Sequence, residues 1–205
     1  MDRLYLMDCS PLLNEDCIRE VLPQLDNTRR QRIEQLKTPE KRAQCAAAGL
    51  LLTRLFGENN APPSLFHGSR GKPYLYEKTD VFFSLSHVNH WVLCATASAE
   101  IGADAQPLTD YRPHVANRCF TEAERAWMEK LPEERFAQLW TAKEAYLKYT
   151  GFGLVLPMSS FSVPCPAIGQ DDVNHCHWWS DTVQDLAITV CSAEKWMPSI
   201  EYISL

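Results

Sequence analysis

The residues with most chemical potential lie in two short strings. In "AEIGADAQPL", Asp104 stands between two alanines with Gln106 two positions on. If the apolar run "HWVLCATASAEI" leads into a strand here, side chains alternate, so Asp104 and Gln106 share one face and Ala103 and Ala105 the other. The small alanines are expected to leave room for a ligand, and Pro107 to end the strand. In "ERFAQLWTAKEAYLKYTGFGL", helical spacing aligns Phe136, Trp140 and Leu147, and Glu144 falls on that stripe. A carboxylate turned inward needs a cation, from a side chain or a metal, because burying it unpaired is strongly unfavourable. The plainer alternative is an i, i+4 pair of Glu144 with Lys148 on a partly exposed face. Two carboxylates and an amide oxygen on rigid elements suit a hard cation such as Mg²⁺, completed by water and phosphate oxygens. Phosphate chemistry is the natural use of such a set. A third group, Arg70, Gly71 and Lys72 in "RGKPYL" with Ser84, Ser86 and His87 in "SLSH", offers close backbone approach, donors and positive charge to a phosphate.

Several elements must position these groups. "TPEKRAQCAAAGLLLTRLFG" predicts a helix with Thr38 as N-cap, Pro39 at its first position and an end near Gly57. Residues 15–36 predict two short helices, and the Pro-, Gly- and Asn-rich stretch from 59 to 80 a long connection. Strands are expected at Val81–Leu85 and Trp91–Ala97, and again in "GLVLPMSSFSVP" and "VQDLAITVCSAE"; "TEAERAWMEKLPEERF" predicts two helices split at Pro132. The strands "HWVLCATASAE" and "QDLAITVCSAE" both end in Ser-Ala-Glu about half a chain apart. The shared order of helices then strands predicts two similar α+β halves, 1–97 and 98–205, with a site between them.

Bulk properties narrow the function classes. The 205 residues are 45% hydrophobic, with 20 basic and 26 acidic side chains and a net charge of −6, which predicts a globular protein with no nucleic acid as partner. No apolar run at the start is long enough for a signal peptide or membrane span, so the expectation is a cytoplasmic protein with no membrane partner. The eight cysteines never form CxxC and predict reduced, buried thiols; "HCHWW" (175–179) lacks a second ligand pair for zinc and reads as a polar patch in a loop or edge strand.

Taken in order, "GKPYL", "FSLSH", "GADAQ" and "WTAKEAYLKYTGFGL" resemble the motifs of the Sfp-type 4′-phosphopantetheinyl transferases. The resemblance implies an α+β, pseudo-dimeric fold of two similar halves with coenzyme A between them. It implies a holo-[acyl-carrier-protein] synthase type reaction, Mg²⁺-dependent: the 4′-phosphopantetheine arm passes to a serine of an apo acyl or peptidyl carrier protein, releasing adenosine 3′,5′-bisphosphate. By position, Asp104 and Glu144 match the metal ligands and Gln106 the third; Glu144 matches the base, and Lys148 a lysine that contacts the coenzyme. Lys72 and Pro73 match the adenine-side loop, and Ser86 with His87 the pair that holds the 3′-phosphate. Gln44 stands where such proteins often carry an arginine for that phosphate, with Arg42 on a different helix face. Gln106, neutral where an acid is common, predicts weaker metal binding and a lower Mg²⁺ requirement on Gln106→Glu. Arg112, Arg118, Arg29, Arg30 and Arg32 are the candidates for a basic patch facing an acidic carrier. A monomer is expected to hold a complete site. The missing arginine also fits a non-catalytic carrier- or nucleotide-binding relative, and a third option is a coenzyme A diphosphate hydrolase.

Overall fold

The computed structural model describes residues 2–76, 78–165 and 175–205. A four-stranded sheet is ordered β4 (Phe82–Val88), β5 (Trp91–Ala97), β1 (Arg3–Asp8), β9 (Ser199–Ile203); a three-stranded sheet is ordered β6 (Ile101–Pro107), β8 (Leu186–Ser192), β7 (His177–Val183). All strand pairs within these sheets are antiparallel except β1 with β9. The last strand therefore returns across residue 98 to complete the first sheet.

Alternation along the strands builds the layers. Met7, Phe83, Val92 and Cys94 face α3 (Pro39–Phe56), whose Ala43, Ala46, Ala47, Leu50 and Leu51 are buried against them. Leu4, Leu6, Leu93 and Ala95 face the other way and meet Ile101, Ala103, Ala105, Ile188 and Val190 of the second sheet. Burying each Leu or Ile in this way contributes about 2 kcal/mol. The other face of the second sheet carries α6 (Pro132–Thr150), which crosses β6 and β8. The order is helix, sheet, sheet, helix.

Local signals end the helices where expected. Thr38 accepts a hydrogen bond from the Lys41 N–H, with Pro39 at the first helical position. Pro132 opens α6, and Gly151, at φ 67°, closes it in the left-handed conformation that favours glycine. The two short helices in 15–36 are α1 (Glu15–Val21) and α2 (Asn27–Gln35). The connection before β4 contains a small hairpin, β2 (Leu65–His67) with β3 (Pro73–Leu75).

Some expectations are corrected. "GLVLPMSSFSVP" is not a strand but two single 3₁₀ turns, Gly153–Val155 and Met158–Ser160, because its prolines break a ladder. A short helix, α4 (Pro113–Cys119), precedes α5 (Glu122–Met128). The strands β1 and β9 were not expected. Residue 177 opens the edge strand β7, and the Cys176 thiol contacts that of Cys191. Among the described residues no helix is long and apolar enough to cross a membrane.

Candidate functional site

The two chemical strings meet because α6 lies on the face of β6 that Asp104 occupies. Gly102 permits the approach: a Cβ there would stand 2.0 Å from the Ala145 carbonyl oxygen and 2.2 Å from the Tyr149 nitrogen of α6. Asp104 is 7% exposed and Gln106 8%. Ala103 and Ala105 are buried between the sheets, so they give no clearance beside Asp104; their smallness lets the sheets approach on the opposite face.

Asp104 is held from both neighbouring elements. The Ser86 hydroxyl donates to its Oδ1 at 2.6 Å, and Lys148 Nζ donates to the same oxygen at 2.7 Å. Lys148 also donates to the carbonyls of Leu85 (3.1 Å) and Ala103 (2.9 Å), which engages all three of its N–H donors. The serines of "FSLSH" splice β4 to β6: Ser84 Oγ accepts from Ala103 N at 2.9 Å and Ser86 Oγ from Ala105 N at 3.4 Å, standing in for a backbone ladder. Ser86 is therefore committed to Asp104 and the edge of β6, where the motif resemblance had matched it to phosphate binding.

Glu144 lies one turn before Lys148 on α6 and is half-buried. Burial, and next the Asp104 charge, hold its carboxyl above the usual range, and Lys148 only partly offsets this. Asp104 and Glu144 thus interact as two carboxylates with one ammonium between their elements, and of the two only Asp104 is paired with it. A hard divalent cation fits that unbalanced pair, with the Gln106 amide on the same strand face. Among the described residues no three His, Cys, Asp or Glu side chains gather as a metal cluster, so any third protein ligand here must be of another type.

A cavity of about 290 Å³ opens beside Glu144 and Lys148, lined also by Arg70 to Pro73, Ser84, Leu85 and the loop at Gly151 and Gly153. The Gly-Lys-Pro loop, the serine motif and the α6 motif are brought together there. Arg70 stacks its guanidinium over the Phe152 ring at 4.2 Å. Lys72 reaches past Gly151 to donate to the carbonyls of Ile101 (2.8 Å) and Tyr149 (3.1 Å) and pairs with Glu100, so it clasps α6 to β6. Burial lowers its ammonium pKa, against the pull of Glu100. A larger groove of about 1060 Å³ runs along β7 and includes none of the candidate residues.

His87 is exposed at the end of β4, yet desolvation first, and the Lys148 charge second, keep its imidazole below its ordinary pKa; Arg32 of α2 adds to this. Lys148 and, more weakly, Arg32 are thus the positive charges that act on His87. Gln44 donates to the Asn89 carbonyl at 2.7 Å, and Arg42 pairs with Glu15 at 2.6 Å, so Arg42 does not take the arginine's place. Of the other arginines expected to form a basic patch, Arg29 donates to the Cys45 carbonyl, Arg30 to the Leu25 carbonyl, and Arg112 pairs with Asp110.

Two features escaped sequence reasoning. Lys143, next to Glu144, turns into the core and is 0% exposed, bonded to Glu124 at 2.9 Å and to the Met158 and Phe161 carbonyls. Asp110 accepts from the Gln106 amide. The Thr121-x-x-Glu124 capping pattern was a signal for the first; nothing local signalled the second.

Residues 100–191, the span from β6 through β8 that carries Asp104, Gln106, Glu144 and Lys148, match the family model described as the 4′-phosphopantetheinyl transferase superfamily, so the motif resemblance holds over that stretch. The chain is 36% identical over 104 residues to the 4′-phosphopantetheinyl transferase Sfp of Bacillus subtilis (strain 168), covering 49% of this chain and 46% of that protein. It is 37% identical over 97 residues to another Bacillus subtilis 4′-phosphopantetheinyl transferase, covering 45% and 43%. The Nostoc sp. 4′-phosphopantetheinyl transferase HetI is 32% identical over 154 residues, covering 68% and 65%. The chain thus matches less than half the length of the two Bacillus proteins.

Proposed function

We propose that this protein transfers the 4′-phosphopantetheine arm of coenzyme A to a serine hydroxyl of an acyl or peptidyl carrier protein, releasing adenosine 3′,5′-bisphosphate. The observation that carries this reading is the meeting of Asp104 and Glu144 beside Lys148, at a cavity rimmed by the Gly-Lys-Pro loop. One relative is by name the 4′-phosphopantetheinyl transferase Sfp, and the reading follows it in preference to a carrier-restricted synthase. A monomer in the cytoplasm, with one site at the junction of two halves joined by the Ser84 and Ser86 splice, completes it.

Asp104, Glu144 and the Gln106 oxygen would hold Mg²⁺, which when bound supplies neutralisation of the coenzyme pyrophosphate as charge develops on it. Glu144, its carboxyl made more basic by burial and by Asp104, is suited to accept the proton of the carrier serine. Lys148 offsets the Asp104 charge; for it to reach a phosphate oxygen, one of its three present hydrogen bonds must be given up. Lys72 and Pro73 form the wall on the adenine side, and His87 with Arg32 is suited to the 3′-phosphate.

The test is the intact mass of apo carrier protein after incubation with the protein, Mg²⁺ and coenzyme A. The expected result is addition of the phosphopantetheine mass, abolished by Asp104→Ala and by Glu144→Ala with the fold retained by circular dichroism. Unmodified carriers across a panel from fatty acid, polyketide and peptide synthesis would defeat the proposal. Release of adenosine bisphosphate without any carrier would favour hydrolysis instead.

A further inference from the structure

The weak member of the cation site is Gln106. Its amide has two unlike ends: Nε2 only donates, and only Oε1 can take a cation. Free to turn, such an amide presents either end. The chain removes that freedom. After Pro107 it reverses, with Asp110 N bonded to the Pro107 carbonyl at 3.3 Å, and this turn brings the Asp110 carboxylate back beside Gln106. Nε2 of Gln106 donates to Asp110 Oδ2. Asp110 is in turn gripped by Arg112, whose Nε donates to Oδ1 at 2.9 Å while a second guanidinium nitrogen meets Oδ2. An ionised carboxylate only accepts, so turning the amide over would set Oε1 against oxygen lone pairs. The bonded amide nitrogen leaves Oε1 as the end that a cation can take.

We propose that Asp110 is a positioning residue that commits Oε1 of Gln106 to a divalent cation on the face shared with Asp104. This rests on the reading of Asp104, Gln106 and Glu144 as the cation site. The arrangement also reverses an expectation drawn from the sequence. In Gln106→Glu the introduced carboxylate would stand directly against Asp110, and repulsion between the two offsets the charge gained at the cation. When Asp110 is also made Asn, that carboxylate can accept from the Asn amide, with its second oxygen left for the ion.

The experiment is Mn²⁺ binding to the full chain, without coenzyme or carrier, followed by the free-ion electron paramagnetic resonance signal. Thermal melting in chelator checks that each variant folds; Asp110→Ala serves beside Asp110→Asn as a second variant. Asp110→Ala, which removes the acceptor, is expected to raise the Mn²⁺ dissociation constant about ten-fold or more, the usual consequence of losing a residue that orients a ligand; Asp110→Asn, whose one carbonyl oxygen can serve Gln106 or Arg112 but not both, is expected to raise it less. Gln106→Glu with Asp110→Asn is expected to restore binding to wild-type strength or better. Wild-type affinity in Asp110→Ala, or a Gln106→Glu single variant that binds as tightly as the double variant, would overturn the positioning role while leaving the cation site standing. Absent Mn²⁺ binding by the wild type, or binding untouched by Asp104→Ala, would overturn the cation site and this role with it.

Discussion

Replacing Lys143 with Met tests whether the residue before Glu144 acts in the core. Its ammonium and the Glu124 carboxylate are both 0% exposed and 2.9 Å apart. Glu124 also accepts from Thr121 N at 2.7 Å and Val163 N at 2.9 Å, so it stays in place if Lys143 is lost. Lys143→Met then leaves a buried carboxylate with two amide donors and no counter-charge. Removing one partner of a buried pair costs about 3–5 kcal/mol, against a total stability on the order of 5–15 kcal/mol. With a urea slope of about 2 kcal/mol per molar, the unfolding midpoint should fall by roughly 2 M. Adding Glu124→Gln removes the stranded charge while keeping an acceptor, and should recover at least half of the loss. Urea titration followed by tryptophan fluorescence measures both. A fall below about 1 kcal/mol in the single variant, or a double variant no more stable than the single, would refute the claim that this pair pins α6 to α5 and the 156–163 segment.

Three other outcomes follow from the same geometry. Glu144 has its folded-state pKa raised, so the folded protein binds the proton more tightly than the unfolded chain. Metal-free stability is therefore greatest below the unfolded value and falls as pH rises through the folded one; melting in chelator between about pH 4 and 8 should show that fall, and Glu144→Gln should flatten it. Gly102→Ala sets a methyl against α6 backbone, so it should cost about 3 kcal/mol and lower carrier modification by intact mass; wild-type stability would mean that β6 and α6 do not touch as described. His87 is held below its ordinary pKa in the free protein. If it meets the coenzyme 3′-phosphate, binding should take up a proton and weaken as pH rises, measured by calorimetry in buffers of differing ionisation enthalpy; equal heats in all buffers would remove His87 from that role.

Much of the site was legible because its signals are local. Period-two alternation put Asp104 and Gln106 on one face of β6, a 3.6-residue period put Glu144 beside the apolar side of α6, and Thr38, Pro39, Pro132 and Gly151 mark helix ends by backbone chemistry that needs no distant partner. The strand pairing of β1 with β9 was not legible, since it joins segments at opposite ends of the chain. The alanines beside Asp104 were misjudged for a related reason: alternation says that they face away from the aspartate, and only the second sheet packing there says what they meet.

The sequence by itself determined which groups could do chemistry and which shared an element. The tertiary structure decided their partners. It turned Lys143 inward and Lys148 toward Asp104, although both lie on one helix five residues apart, because Glu124 arrives on one side of α6 and β6 on the other. It gave Ser86 to Asp104 by laying the β4 edge along β6. It brought Asp110 back to Gln106 through the turn at Pro107, which makes a neutral amide present its oxygen. Each of these depends on charges and donors that meet only when separate elements pack, so no window of residues contains them.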